Sequence, residues 1–293
     1  MSTAVTPSPV PTAITSVRPW WAPGVVSASY VVATVLSSTI TSPSHPRALA
    51  PAPLLLAVLA GGLGALTIGP LAQRLRLPPV PRLAVVTLLV YLLSTITNEV
   101  EAILFITGSS ALVPVNGAVL AVGLAVPVTL LWGPADTAVS VGAALRATVN
   151  SRPWWSWTWR ILLATLAWVP VYFIFAAADA PFVHIYYHQT GTTFTVPDTG
   201  IIVLAELGRG LLHALVLGAL AALLDRNRRV SWFWLALAFA TLNAWLPLVQ
   251  RTDWPYYLRA ANIVEITGDA VVYAGLVALL LIRHQPAGRR NVP

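Results

Sequence analysis

Residues 201–224 read IIVLAELGRGLLHALVLGALAALL, an apolar run long enough to cross a lipid bilayer. Three ionisable side chains, Glu206, Arg209 and His213, interrupt this run. A charged side chain at the centre of a bilayer costs roughly 3 kcal/mol, so such residues are usually paired, directed to the protein interior and functional. Their spacing of three and four residues puts all three on one face of a helix. The run therefore predicts a membrane-spanning helix with one polar face.

The composition is that of an integral membrane protein. Of the 293 residues, 57% are hydrophobic and 9% are charged, whereas soluble domains carry about 25% charged residues. Cys is absent, which excludes disulfides, thiolate catalysis and iron–sulfur clusters. All 17 basic residues are Arg, scattered over short loops without a basic face, so the net charge of +7 does not indicate a nucleic acid partner.

Seven further apolar runs predict an all-α integral membrane protein, a bundle of about eight transmembrane helices. The eight runs are 24–41, 52–71, 83–106, 111–132, 157–178, 201–224, 230–249 and 257–282. We expect a single polytopic transmembrane domain over 18–284. A disordered N-terminal tail, 1–17, is rich in Ser, Thr and Pro and lacks the basic start of a signal peptide. A short basic tail, 285–293, follows the domain.

The arginines predict which way the bundle faces. With eight spans, thirteen Arg residues fall on the side that holds both termini and three fall on the other side. Cytoplasmic loops of membrane proteins carry an excess of Lys and Arg. We therefore expect both termini to be cytoplasmic, in a multi-pass protein of the plasma membrane whose immediate partner is the lipid bilayer.

Polar residues of three other runs fall at the same depth as those of 201–224. They are Asn98 and Glu101 in the third run, Asn243 in the seventh, and Asn262, Glu265 and Asp269 in the eighth. Given the direction of each predicted helix, these residues lie in the outer half or near the midplane, and the inner halves are almost free of polar side chains. If the polar faces meet, they form a cup open to the outside above an apolar plug.

The candidate site contains more acids than bases. Its carboxyl groups are those of Glu101, Glu206, Glu265 and Asp269, against one Arg and one His. Such an excess implies a proton held on one carboxyl group, a bound cation, or access of water. The plainer interpretation is structural: Arg209 and a Glu could simply join two helices, and His213 could be a core histidine.

Two active functions and one passive function fit this pattern. The first is a membrane-embedded enzyme acting on a small-molecule or lipid-linked substrate from the outer side. In it, Glu265 or Glu101 is the general base, His213 is the proton partner and Arg209 anchors a phosphate or oxyanion. The binding residues would be Asn98, Asn243 and Asn262. The alternatives are a proton- or cation-coupled solute transporter, and a non-catalytic partner subunit in which the polar network only fixes helix register.

The sequence limits the cofactors. A divalent metal held by the carboxylates and His213 is a variant of the enzyme hypothesis. Retinal is excluded because the chain has no Lys to form a Schiff base. A haem with two axial His ligands is excluded because His213 is the one His within an apolar run.

Two short motifs resemble parts of the CAAX-processing (CPBP) intramembrane protease family. The matching residues are Glu206, Arg209, Gly210 and the stretch Phe-Ala-Thr-Leu-Asn at 239–243. That family has a paired Glu-Glu set before its Arg, where this chain has Leu204 and Ala205, and its second motif ends in His, where this chain has Asn243. Because these positions differ, the resemblance does not extend to the family's activity.

Overall fold

The computed structural model of the chain describes residues 19–41, 50–106, 112–133, 139–187, 195–224 and 227–282. Within these ranges the chain forms helices and no strand, which confirms the all-α prediction. Both tails predicted from the sequence, 1–17 and 285–293, lie outside the described residues.

Eight helices of the described chain are long and apolar enough to cross a membrane, which confirms the predicted number. They are α1 (Ala22–Thr41), α2 (Pro51–Arg74), α3 (Pro79–Phe105), α4 (Val113–Leu131), α6 (Trp154–Tyr187), α7 (Thr199–Leu223), α8 (Arg228–Val249) and α9 (Tyr256–Leu281). A short helix, α5 (Val141–Val149), connects α4 to α6. Pro51 and Pro79 are the first residues of α2 and α3, where the missing N–H of proline would have had no helical partner.

Helix α7 buries the polar face that its sequence predicts. The exposed fractions of Glu206, Arg209 and His213 are 0%, 3% and 0%. Gly210, on the same face, lies against the backbone of α6, and its carbonyl oxygen accepts a hydrogen bond from the Tyr273 hydroxyl of α9 at 3.1 Å. This packing holds α7 against both α6 and α9.

Helices α3 and α8 each contain a π-helical segment, Tyr91–Ile96 in α3 and Thr241–Trp245 in α8. The two helices are joined there, because the Thr97 hydroxyl donates to the Asn243 side-chain oxygen at 2.9 Å. Single π-helical turns within α-helices are frequent at functional sites, since the extra residue reorients the side chains around it. Both segments adjoin residues that the sequence singles out.

The carboxyl end of α9 is held by arginines from other helices. The Arg152 and Arg160 side chains donate to the Leu280 carbonyl oxygen at 2.9 and 2.7 Å, and Arg228 donates to the Ile282 carbonyl oxygen at 3.1 Å. The last carbonyl groups of a helix lack partners within the helix and attract cations. The first turns of α6 and α8 are thereby fixed to the last turn of α9.

Candidate functional site

A cavity of about 270 Å³ lies at the end of the bundle where α3, α6 and α8 end and α7 and α9 begin. Its walls are largely apolar, with Phe105, Val183 and Ile266 among the lining residues. The polar residues that line it include Asn98 and Glu101 of α3, Asp179 and His184 of α6, Arg251 after α8, and Asn262 and Glu265 of α9. Helices distant in sequence therefore supply carboxyl and amide groups to one space.

A pair of carboxyl groups crosses this cavity. Asp179 of α6 is 8% exposed, and its carboxyl group lies beside the Glu265 carboxyl group of α9, close enough for a hydrogen bond once one of the two is protonated. An ionised carboxylate can only accept hydrogen bonds, so such a bond requires a proton on one of the groups. With one proton between them, the two groups are an acid beside its conjugate base.

An ion network centred on Arg209 lies beneath the cavity. The Arg209 guanidinium contacts the Glu101 carboxylate at 3.1 Å and the Glu206 carboxylate at 2.8 Å. The second oxygen of Glu206 accepts a hydrogen bond from the Trp168 indole N–H at 2.7 Å. Because all the charges are paired or hydrogen-bonded, the network can be buried, and it joins α3, α6 and α7.

His213 lies one helical turn below Arg209 in a group of aromatic rings. Its ring centroid is 4.5 Å from the Trp168 and Phe239 rings, both in edge contacts, and 6.1 Å from Tyr273. Neither imidazole nitrogen has a hydrogen-bonding partner within the described part of the chain. Buried apolar side chains follow towards the far end of the bundle, among them Leu217 of α7. These four rings form an aromatic floor that separates the polar residues from the apolar half.

The candidate residues fall into two levels. Those lining the cavity are Asn98, Glu101, Asn262 and Glu265, and those outside its lining are Glu206, Arg209, His213, Asn243 and Asp269. The Asn98 amide donates to the Asn243 backbone carbonyl at 3.3 Å, which connects the two levels. Asp269 is 2% exposed, and one of its carboxyl oxygens has no hydrogen-bonding partner among the described residues.

The described residues contain no group of three or more His, Asp or Glu side chains arranged to hold a metal ion. The variant with a metal bound by carboxylates and His213 gains no support from the positions of these groups, since His213 is enclosed by aromatic rings.

The sequence does not predict that three residues of α6 belong to the site. The fifth apolar run ends at residue 178 and leaves Asp179 in a loop, whereas α6 continues to Tyr187. In the sequence, Trp168 and Tyr172 resemble ordinary apolar positions of a span. In the structure, Trp168 donates a hydrogen bond to Glu206, and Tyr172 lines the cavity. The available signal is the spacing: Trp168, Tyr172 and Asp179 are separated by four and seven residues, which places them on one helix face.

Comparison with known proteins gives no match to a family model, to a curated protein or to a solved structure. The likeness to CAAX-processing proteases consequently stays a resemblance of a few residues. The function must therefore be inferred from the geometry of the cavity.

Proposed function

We propose that the chain is a multi-pass protein of the plasma membrane and that its cavity is an acid–base active site. The observation that carries this proposal is the carboxyl pair formed by Asp179 and Glu265 in the cavity wall. The substrate is a small or lipid-linked molecule that reaches the cavity from the non-cytoplasmic side.

The arginines support this orientation. Arg152, Arg160 and Arg228 lie at the end of the bundle opposite the cavity, where they hold the end of α9. Arginine-rich ends of membrane proteins face the cytoplasm. The cavity then opens on the other side.

The carboxyl pair supplies the two groups that acid–base catalysis needs. The ionised member accepts a proton from water or substrate, and the protonated member donates one to the group that leaves or gains charge. The apolar walls, including Val183 and Ile266, limit the water around the pair and so strengthen its electrostatic interactions. Arg209 has both terminal nitrogens occupied by carboxylates, so its role is to position Glu101.

A proton-coupled transporter is the second candidate. It is favoured by Asp269 and His213, which lie deeper than the cavity lining and have polar atoms without hydrogen-bonding partners in the described part of the chain. Such groups can receive protons in turn, as carboxylate and histidine relays do in pumps. Against it stands the aromatic floor, which closes the path beyond them.

The test compares lipid and metabolite extracts of cells producing the wild type, Asp179→Asn, Glu265→Gln or Glu99→Gln at matched membrane abundance. Glu99 is the control because it lies on α3 near Glu101 but outside the cavity lining. We expect a chemical species that the wild type and Glu99→Gln form and that both pair variants fail to form.

Two other outcomes contradict the enzyme. If all four strains contain the same chemical species, but the pair variants differ from the wild type in how one species is distributed across the membrane, the protein is a transporter. If neither the species nor their distribution differ, the polar residues serve structure alone.

A further inference from the structure

The polar atoms facing the cavity are mainly acceptors. Asn262 is 6% exposed, and its amide nitrogen donates one hydrogen bond of 2.8 Å to the Leu258 carbonyl oxygen. Its side-chain oxygen has no hydrogen bond within the described residues, although Asn262 lines the cavity. The carboxyl oxygens of Asp179, Glu265 and Glu101 line the same space. Carboxylate and amide oxygens accept hydrogen bonds, so this wall favours a ligand that donates them.

The charges around the cavity leave an excess of negative charge. Arg209 is shared between two carboxylates, Glu101 and Glu206. Arg251, at the mouth, is held by Asp253 through two hydrogen bonds of 3.1 and 3.0 Å. The carboxyl pair still carries one negative charge when it shares a proton. The carboxyl groups around the cavity therefore outnumber the arginines, and this excess of negative charge attracts a cation.

The remaining walls suit the body of an organic ligand. Phe105, Ile266 and Val183 are apolar, and Tyr172 adds an aromatic ring, whose face attracts cations. Small-molecule sites are typically apolar pockets in which a few polar groups fix the orientation. The cavity has this character, with its acceptors gathered on α6 and α9.

We propose that the ligand of the cavity is an organic amine, with a cationic ammonium group and an apolar body. The ammonium group lies between the Asp179–Glu265 pair and the side-chain oxygen of Asn262, and the apolar body lies against Phe105 and Ile266. This inference rests on the proposed function, because it names the chemical class of the molecule on which that site acts.

The test uses three probes of one shape and different charge: 2-phenylethylammonium, 2-phenylethanol and phenylacetate. Their dissociation constants are measured by calorimetry on the full chain in lipid nanodiscs. Since hydrogen bonds between charged groups are stronger than those of neutral groups, the ammonium probe should bind roughly tenfold more tightly than the alcohol, and phenylacetate should bind most weakly.

Variants distinguish binding of the probe in the cavity from its partitioning into the surrounding lipid. Glu265→Gln and Asn262→Leu should each bring the affinity for the ammonium probe close to that for the alcohol, and Glu99→Gln should leave it unchanged. The proposal is overturned if the ammonium probe binds no more tightly than the alcohol, absence of binding included, or if its advantage persists in Glu265→Gln and Asn262→Leu.

The two proposals can fail separately. Selective binding of the ammonium probe without any difference between the extracts would refute the acid–base reaction and leave the ligand class intact. A product lost in Asp179→Asn and Glu265→Gln without selective binding would refute the ligand class alone.

Discussion

Glu206 carries a charge that is costly to bury, because its carboxylate is completely buried within a helix that is long and apolar enough to span a membrane. Arg209 and Trp168 each give it one hydrogen bond, at 2.8 and 2.7 Å. The sequence indicates the first partner, which is three residues away on the same helix face. It does not indicate Trp168, since an indole within an apolar run gives no sign of what its N–H contacts.

Removing Arg209 should therefore destabilise the protein more than removing Trp168. Arg209→Met leaves buried carboxylates uncompensated, and we expect it to cost about 3–5 kcal/mol. Trp168→Phe removes one hydrogen bond to a charged group, at a cost of about 1.5–3 kcal/mol. The measurement is the unfolding midpoint in sodium dodecyl sulfate titrations of protein in bicelles.

Arg251→Ala is the matched control, because its ion pair with Asp253 is exposed to solvent and should contribute at most about 1 kcal/mol. Equal losses for Arg209→Met and Arg251→Ala would show that the buried network does not stabilise the bundle.

At the level of helices, α7 contains two glycines, Gly208 and Gly210, and the close contact between α6 and α7 depends on one of them. Small residues in membrane helices allow close approach, so the sequence predicts this role for both Gly208 and Gly210. The structure confirms it for Gly210, where an added Cβ would lie 2.6 Å from the Thr165 carbonyl oxygen. The prediction is wrong for Gly208, where a Cβ would meet no atom within 4 Å among the described residues.

Alanine at these two positions should have opposite effects. Gly210→Ala forces α6 and α7 apart, and overpacking of this kind typically costs about 1–3 kcal/mol. Gly208→Ala meets open space and should stabilise the helix by up to about 1 kcal/mol. The same unfolding titrations give both values, and a Gly210→Ala protein as stable as the Gly208→Ala protein would contradict the close contact.

The helices that the sequence does not fully predict are those whose shape depends on their neighbours. Hydropathy locates α6 but ends it at residue 178, because the interfacial turns from Asp179 to Tyr187 are less apolar although still helical. The π-helical segments of α3 and α8 have no sequence signature of their own, and the Thr97–Asn243 hydrogen bond that joins the two helices there depends on their packing.

At the scale of the whole molecule, the number of spans follows from the length of the apolar runs alone. The meeting of α3, α6 and α9 around one cavity does not, because hydropathy contains no information on which helices are neighbours. The predicted depth of the polar residues nonetheless indicates some of the neighbours. Polar residues at the same depth in several helices can hydrogen-bond to one another, and four of the predicted residues do line one cavity.

The orientation stays a prediction, and the absence of Cys from the sequence makes it easy to test. Thr252→Cys places a thiol at the cavity end of the bundle, and Asn150→Cys places one at the opposite end; both positions are exposed. A membrane-impermeant maleimide should label Thr252→Cys in intact cells, and Asn150→Cys only after permeabilisation. The reverse pattern would place the cavity on the cytoplasmic side.

The attachment of the last turn of α9 to Arg152, Arg160 and Arg228 has a mechanical consequence. A rod fixed at one end can tilt about that end but cannot slide along its axis. A tilt about that end would move the first half of α9, including Asn262 and Glu265, more than its second half, and would change the distance from Glu265 to Asp179. The arginines would thus act as a pivot some 20 Å from the carboxyl pair, given a rise of about 1.5 Å per residue along the helix.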